Sequence, residues 1–165
     1  FSSGLVSYNY VTANGGGIYN QKTFIFKGGT ISHNKAKVSG GGVCNAGTMT
    51  MTGTAVIGDS STSITSKATS SNYSNIAANG GGIYNNTSCY LYLGTDTETL
   101  TGGIYYNYAS TDGGGVNTAG TFVIKSGYIK YNGVVSPDEG ESTFAGVSGT
   151  YTNSISDCPN EIQDD

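Results

Sequence analysis

The motif NGGGIYN occurs twice in the chain, and two weaker copies indicate that the sequence is built from repeats. The two identical copies span 14–20 and 79–85, and SGGGVCN at 39–45 and DGGGVNT at 112–118 follow the same pattern. The first glycines of the four copies are Gly15, Gly40, Gly80 and Gly113. A unit of about 25 residues with two insertions accounts for their spacing, and repeats of this length are typical of solenoid proteins.

A strand pattern follows each glycine triplet. Apolar and polar residues alternate in TFIFK at 23–27, TMTMT at 48–52 and TFVIK at 121–125, and YLYLG at 90–94 occupies the same place in the third unit. A period of two places alternate side chains on opposite faces of a strand, so one face is apolar and the other is wet. A second apolar column is predicted at Ile31, Val56, Ile104 and Ile129. Three residues after each of these comes Asn34, Asp59, Asn107 or Asn132.

These units predict an all-β fold, a parallel β-helix or solenoid of about four to five coils of roughly 25 residues. Each coil is expected to hold three short strands, at GIYN, TFIFK and TISHN in the first unit. We expect one domain over 1–165, with a partial first coil at 1–14, main coils at 15–143, and a degenerate coil with a C-terminal cap or tail at 144–165. Polar insertions around 60–75 and 95–100 fall between strands, where solenoids tolerate them. In the degenerate coil, Val147 is expected to take the inward position.

The repeated glycines and asparagines are predicted to be structural. A phosphate-binding loop needs Lys and Ser or Thr at the start of a helix, and no glycine triplet here precedes such a pair. Four triplets in register instead indicate a turn with positive φ in every coil. Asn side chains at equivalent positions of stacked coils form hydrogen-bonded ladders, and Asn also tolerates the left-handed backbone of a tight corner. One ladder is expected at Asn20, Asn45 and Asn85, and another at Asn9, Asn34, Asn107 and Asn132.

Charge and the placement of the acids argue against several functions. The chain has 7 Lys and Arg against 11 Asp and Glu, whereas nucleic acids and anionic membranes call for basic patches. No apolar run approaches the roughly 20 residues of a membrane span. β-Helix enzymes that cleave polysaccharides use paired carboxylates or a carboxylate-bound metal. Apart from Asp59, the acids lie outside the repeated strand positions, so we expect no catalytic residue, metal or cofactor.

Three cysteines allow at most one internal disulfide, and their spacing lacks the close pair of a zinc site. Cys44 and Cys89 lie on neighbouring coils but on different faces or turns, so a disulfide between them is open and not expected. Cys158 is assigned to a terminal cap.

The tyrosines are the best binding candidates, because an aromatic platform suits both sugar rings and protein partners. Tyr19 and Tyr84 share a column with Cys44. Tyr106 and Tyr131 share an exposed column with Tyr8 and His33, while Tyr90 and Tyr92 point outward on the third coil. The competing interpretation is that stacked aromatic residues stabilise cross-strand columns, and around the third coil the two interpretations are balanced.

The GGG[IV], TFxF and GxIxxN units resemble right-handed parallel β-helix repeat proteins of bacterial surfaces, among them chlamydial polymorphic outer-membrane proteins and adhesin-like proteins of gut microbes. The resemblance covers residues 4 to about 155 and implies a right-handed coil, secretion and an extracellular or cell-surface location. It transfers no catalytic residue. Because the chain begins partway through a coil, we expect it to be a segment of a longer surface protein.

The predicted function is a non-catalytic surface module, either an adhesin that binds a host or microbial glycan or protein, or a structural stalk. A first alternative is a fibre subunit that stacks head to tail, because the open ends of a β-helix expose unpaired strands. A second alternative is a β-helix that binds or cleaves polysaccharide.

Overall fold

A computed structural model describes residues 1–60, 68–69 and 71–135, together with three two-residue strands closer to the C terminus. All regular structure in this part of the chain is β-strand, and no helix occurs in it. The strands form four sheets with a repeating order, and neighbouring strands run parallel except at one pair. The predicted all-β parallel solenoid is therefore confirmed.

The chain enters through a partial coil of β1 (Leu5–Ser7) and β2 (Tyr10–Val11). The first full coil contains β3 (Ile18–Asn20), β4 (Thr23–Phe26), β5 (Thr30–Ser32) and β6 (Lys35–Ala36). The second contains β7 (Val43–Asn45), β8 (Thr48–Met51), β9 (Val56–Gly58) and β10 (Ile76–Asn79). The third contains β11 (Ile83–Asn85), β12 (Tyr90–Leu93), β13 (Gly103–Tyr105) and β14 (Tyr108–Asp112). The fourth contains β15 (Val116–Thr118), β16 (Thr121–Ile124), β17 (Tyr128–Lys130) and β18 (Gly133–Val135).

Three further strands lie beyond the fourth coil: β19 (Ser142–Thr143), β20 (Val147–Ser148) and β21 (Thr152–Asn153). Strand β19 runs antiparallel to β18. Strand β20 pairs with β15 so that Val147 lies opposite Val116, and β21 pairs with β16. This register agrees with the predicted degenerate coil, whereas Cys158 lies outside the described residues.

Each full coil gives one strand to each of four sheets, so the predicted number of three strands per coil is wrong. Sheet 1 is β3-β7-β11-β15-β20, sheet 2 is β4-β8-β12-β16-β21, sheet 3 is β1-β5-β9-β13-β17, and sheet 4 is β2-β6-β10-β14-β18-β19. The sequence does not predict sheet 4, because its first two strands have only two residues each, which is too short for an alternating pattern.

Sheet 2 has the predicted register and supplies much of the core. Phe24, Met49, Leu91 and Phe122 are paired in sequence across the sheet, as are Phe26, Met51, Leu93 and Ile124. All of these except the half-buried Phe24 are buried. Together with isoleucines and valines from sheets 1 and 3, they form one continuous cluster that runs along the solenoid.

In sheet 3 the apolar column contains Ile57 rather than the predicted Val56. Ile57 pairs with Ile31 and Ile104 and is fully buried, whereas Val56 pairs with Thr30 and Gly103. The turn after β8 is one residue longer than the turn after β4, because six positions separate Met51 from Ile57 and only five separate Phe26 from Ile31. The extra residue moves the core position from Val56, which the spacing from the glycine triplet predicts, to Ile57.

The glycine triplets form the predicted turn. The first glycine of each triplet has positive φ, with values of 72° at Gly15, 66° at Gly40, 61° at Gly80 and 63° at Gly113. The second glycine is required for a different reason: a Cβ added at Gly41 would lie 2.4 Å from the carbonyl oxygen of Gly81 in the next coil. The backbones of successive coils therefore approach too closely for any side chain.

The first asparagine ladder is confirmed. Nδ2 of Asn20 donates to Oδ1 of Asn45 at 2.7 Å, and Nδ2 of Asn45 donates to Oδ1 of Asn85 at 2.8 Å. Asn85 continues the series by donating to Oγ1 of Thr118 at 3.0 Å. Each buried amide thus satisfies the amide of the next coil, as buried polar groups require.

The second ladder contains Asn75, not Asp59, between Asn34 and Asn107. Nδ2 of Asn75 donates to Oδ1 of Asn107 at 2.8 Å, and Oδ1 of Asn75 accepts from Asn34. The insertion at 60–75 therefore begins before the ladder position of this coil, and Asn75 at its end occupies that position. The left-handed corner residue is also not the asparagine but the aromatic residue just before it, since Tyr8, His33, Tyr106 and Tyr131 have φ of 55–58° and no described Asn has positive φ.

Candidate functional site

Tyr90 and Tyr92 form an outward-facing aromatic pair on sheet 2, which we call the Tyr90–Tyr92 platform. Their ring centroids are 6.4 Å apart and their planes differ by 4°. The intervening Leu91 and the following Leu93 are fully buried, so the alternation of the strand fixes both rings on the outer face. Tyr90 is 47% exposed and Tyr92 is half-buried. The pair agrees with the predicted outward orientation.

A cleft of about 320 Å³ lies beside the platform and is lined by Thr50, Tyr92, Gly94, Thr95, Asp96 and Lys125. The ammonium of Lys125 forms an ion pair with the carboxylate of Asp96. The cleft therefore combines one aromatic ring with threonine hydroxyls and a charge-balanced pair. These groups can bind an uncharged polar ligand that has one flat face.

The insertion that forms one wall of this cleft is held against the coils. Nζ of Lys27 donates to the Glu98 carboxylate at 2.5 Å, and Oγ1 of Thr52 donates to it at 3.0 Å. These two hydrogen bonds, the one from Lys27 first, lower the pKa of Glu98 below its usual value. Within the insertion, the N–H of Thr95 also donates to the carbonyl of Glu98. The wall is therefore preformed.

The predicted column of Tyr19, Cys44 and Tyr84 is in register in sheet 1 but does not make a continuous aromatic surface. Tyr19 is 46% exposed and Tyr84 is half-buried, while Cys44 between them is buried. Burial, and secondarily the nearby Cys89, raises the pKa of the Cys44 thiol to about 11. Both cysteines are free thiols. The small thiol separates the two rings along the column.

Tyr106 is buried, which contradicts its predicted place in an exposed column. It is 8% exposed and packs in a second apolar cluster with Ala68 and Tyr108, against which Tyr131 is partly buried. The N–H of Ser74 donates to the carbonyl of Tyr106 at 2.7 Å, and the N–H of Ala68 donates to that of Tyr131 at 2.9 Å. The described part of the insertion at 60–75 therefore packs over these tyrosines and does not form a separate surface loop. Tyr8 and His33 remain exposed in this column.

One signal in the sequence indicates this burial, because the insertion contains Ala68 and Tyr73 among its mostly polar residues. Within the described residues, no group of three His, Cys, Asp or Glu side chains could hold a metal ion. In the same described part of the chain, no helix is long and apolar enough to cross a membrane. The acids around 138–141 and in the C-terminal tail lie outside the described residues.

No protein-family model, curated protein or solved structure matches the chain.

Proposed function

We propose that this protein is a non-catalytic, extracellular or cell-surface module that binds a neutral carbohydrate at the Tyr90–Tyr92 platform. The observation that carries the proposal is the pair of nearly parallel tyrosine rings on a rigid sheet. Sugar rings present apolar C–H faces, which pack on aromatic faces while the phenol groups supply hydrogen bonds. The resemblance to bacterial surface repeat proteins supports the location.

The neighbouring cleft favours an uncharged sugar. The ion pair between Lys125 and Asp96 leaves no net charge among the residues that line it. Thr50 and Thr95 also line this cleft, and their hydroxyls can form hydrogen bonds with sugar hydroxyls. Because hydrogen bonds already hold the insertion against the coils, the cleft loses little conformational entropy when a ligand binds, which favours affinity.

A glycan array followed by calorimetry with neutral oligosaccharides tests this proposal. We expect Tyr92→Ala to weaken binding about fivefold and the double variant with Tyr90→Ala to weaken it by about tenfold or more, since each aromatic contact contributes on the order of 1 kcal/mol and a factor of ten corresponds to about 1.4 kcal/mol. Tyr19→Ala, which removes an equally exposed ring on sheet 1, is the matched control. Binding that survives the double variant would contradict the proposal, and so would release of reducing ends from the bound glycan.

A second candidate is a fibre subunit that stacks end to end. Large exposed apolar side chains are concentrated in the partial and first coils: Phe1, Leu5, Tyr8, Tyr10, Tyr19 and Ile25. Exposed apolar side chains concentrated in one region promote association. Sedimentation at rising concentration, with Leu5→Asp as the blocking variant, separates a monomer from a stacking subunit.

A further inference from the structure

A second aromatic cleft lies at the corner between sheets 3 and 4. It encloses about 330 Å³, and its walls include Tyr8, Tyr10, His33 and Tyr73. The rings of Tyr8 and His33 are stacked, with centroids 5.0 Å apart and planes inclined by 19°. We call this feature the Tyr8–His33 cleft. It combines residues from the partial coil, the first coil and the end of the first insertion.

The Tyr8–His33 cleft differs from the platform on sheet 2 in its charge. Lys35 lines it, and its ammonium lies 5.9 Å from the centroid of the Tyr10 ring. No Asp or Glu is among the residues that line the cleft, and within the described residues no ion pair involves Lys35. By contrast, Lys27 and Lys125 are both paired with carboxylates. The described surface of this cleft therefore presents a cation with no counterion.

An unsatisfied hydroxyl lies at the same cleft. Ser74 is 1% exposed, and its Oγ has no hydrogen-bond partner among the described residues. The position of Ser74 is fixed, because its N–H donates to the backbone carbonyl of Tyr106 and because the next residue, Asn75, belongs to the second ladder. A buried hydroxyl without a partner costs free energy, and a polar ligand atom would remove that cost.

The asparagine ladder holds the aromatic walls in place. Asn9 and Asn34, which directly follow Tyr8 and His33, are joined by a hydrogen bond of 2.9 Å between their side chains. The positive φ of Tyr8 and His33 recurs at the covered Tyr106 and Tyr131, so it is a property of the coil corner and not of this cleft alone. The features specific to this cleft are therefore the stacked rings of Tyr8 and His33, the Lys35 ammonium without a counterion, and the unpartnered hydroxyl of Ser74.

We propose that the Tyr8–His33 cleft binds an acidic sugar residue, carboxylated or sulfated, as a second subsite of opposite preference to the platform. The sugar ring packs against the aromatic walls, its anionic group faces Lys35, and one of its hydroxyls bonds to Oγ of Ser74. Charge-assisted hydrogen bonds of this kind are stronger than neutral ones, which gives the subsite its preference. The two sites share no residue, so this inference does not depend on neutral-sugar binding at the Tyr90–Tyr92 platform.

Calorimetric titration with three disaccharides tests the proposal: one uronic-acid disaccharide, one sulfated disaccharide and one neutral disaccharide of the same linkage. We expect at least one acidic probe to bind, and the two acidic probes to show which anionic group is preferred. Lys35→Gln should weaken acidic binding by about tenfold or more, and Ser74→Ala by a smaller factor, because a charged hydrogen bond is worth more than a neutral one. Lys22→Gln, at an exposed lysine of the same coil, is the control.

The double variant Tyr90→Ala, Tyr92→Ala should leave acidic binding unchanged, which separates failure of this inference from failure of the proposed function. Because Lys35 is an exposed surface residue, Lys35→Gln keeps the fold even if a variant at Ser74 does not, and thermal unfolding checks both. The proposal is overturned if neither acidic probe binds, if Lys35→Gln leaves binding intact, or if Lys22→Gln weakens it equally, since the last result would indicate diffuse electrostatic attraction.

Discussion

Nδ2 of Asn34 donates a hydrogen bond of 3.1 Å to Oδ1 of Asn75, although the two residues are separated by 41 positions and by the longer insertion. Oδ1 of Asn75 also accepts the N–H of Asn34 at 3.0 Å, and its Nδ2 donates to the carbonyl of Ile31 at 2.9 Å. The asparagine ladder thus fixes the residue at which the chain returns from the insertion to the coil. An interrupted repeat stays in register because one buried amide reconnects the coils.

Asn75→Ala should be strongly destabilising. The variant removes the acceptor of the backbone N–H of Asn34, the side-chain donor to the Ile31 carbonyl and one of the two donors to Oδ1 of Asn107, and each buried group left without a partner costs about 1–3 kcal/mol. We therefore expect the free energy of unfolding to fall by about 3 kcal/mol or more in urea titration. Asn72→Ala, three residues earlier and exposed, should change stability by less than about 0.5 kcal/mol. Equal effects of the two variants would show that Asn75 has no special role.

Gly41→Ala tests the close approach of stacked coils. The added Cβ would lie 2.4 Å from the carbonyl oxygen of Gly81 and 2.5 Å from that of Ile76, and both contacts are with backbone. Because neither carbonyl can rotate away, the coils must separate locally, and we expect a loss of stability at the upper end of about 1–3 kcal/mol. Chemical denaturation measures the loss. Ser110→Ala, on the exposed side of β14, is the control and should be close to neutral.

The left-handed corner at Tyr8 is tested by comparing two substitutions with each other. Tyr8 has φ of 58° and is 79% exposed. Both Tyr8→Asn and Tyr8→Val remove the ring stack with His33, so the difference between them reports the backbone. Asn visits this conformation readily, whereas a β-branched residue does not, and Tyr8→Val should be less stable by about 1 kcal/mol. Equal melting temperatures would indicate that the corner relaxes.

The parts of the fold that could be predicted are those governed by strict periodicity. The register of sheet 2 follows from alternation, and the turn at Gly40 follows from triplets that recur with it. Val56 was assigned to the core in place of Ile57 because a single extra residue in a turn reverses which face a strand buries. Sheet 4 could not be predicted from its first two strands, since pairing of two-residue strands depends on the coils already being stacked.

The candidate sites divide in the same way. The outward Tyr90 and Tyr92 were predictable, because their faces are set by the buried leucines next to them in the strand. The burial of Tyr106 was not, since it depends on how an insertion with no repeat pattern folds back. The unpartnered hydroxyl of Ser74 likewise arises only from tertiary placement, because the sequence does not state which groups surround it.

The buried thiol of Cys44 predicts a loss of stability at alkaline pH. Burial first, and Cys89 second, raises its pKa from the usual 9.0 to about 11 in the folded protein. The unfolded chain therefore loses this proton at lower pH than the native state does. The contribution of Cys44 to stability is fully present below pH 9, and it is lost as the pH rises from 9 through about 11.

Urea unfolding of the wild type and of Cys44→Ala between pH 8 and 11.5 checks this expectation. The free energy of unfolding of the wild type should fall more steeply between pH 8 and 11.5 than that of the variant. At pH 8, the thiol of Cys44 in the folded protein should react slowly with iodoacetamide. Tyr105, whose pKa is raised from the usual 10.0 to about 12 by burial and then by Tyr128, adds a decline from pH 10 upward that both proteins share. Parallel pH profiles of the two proteins would show that Cys44 does not ionise differently in the folded and unfolded states.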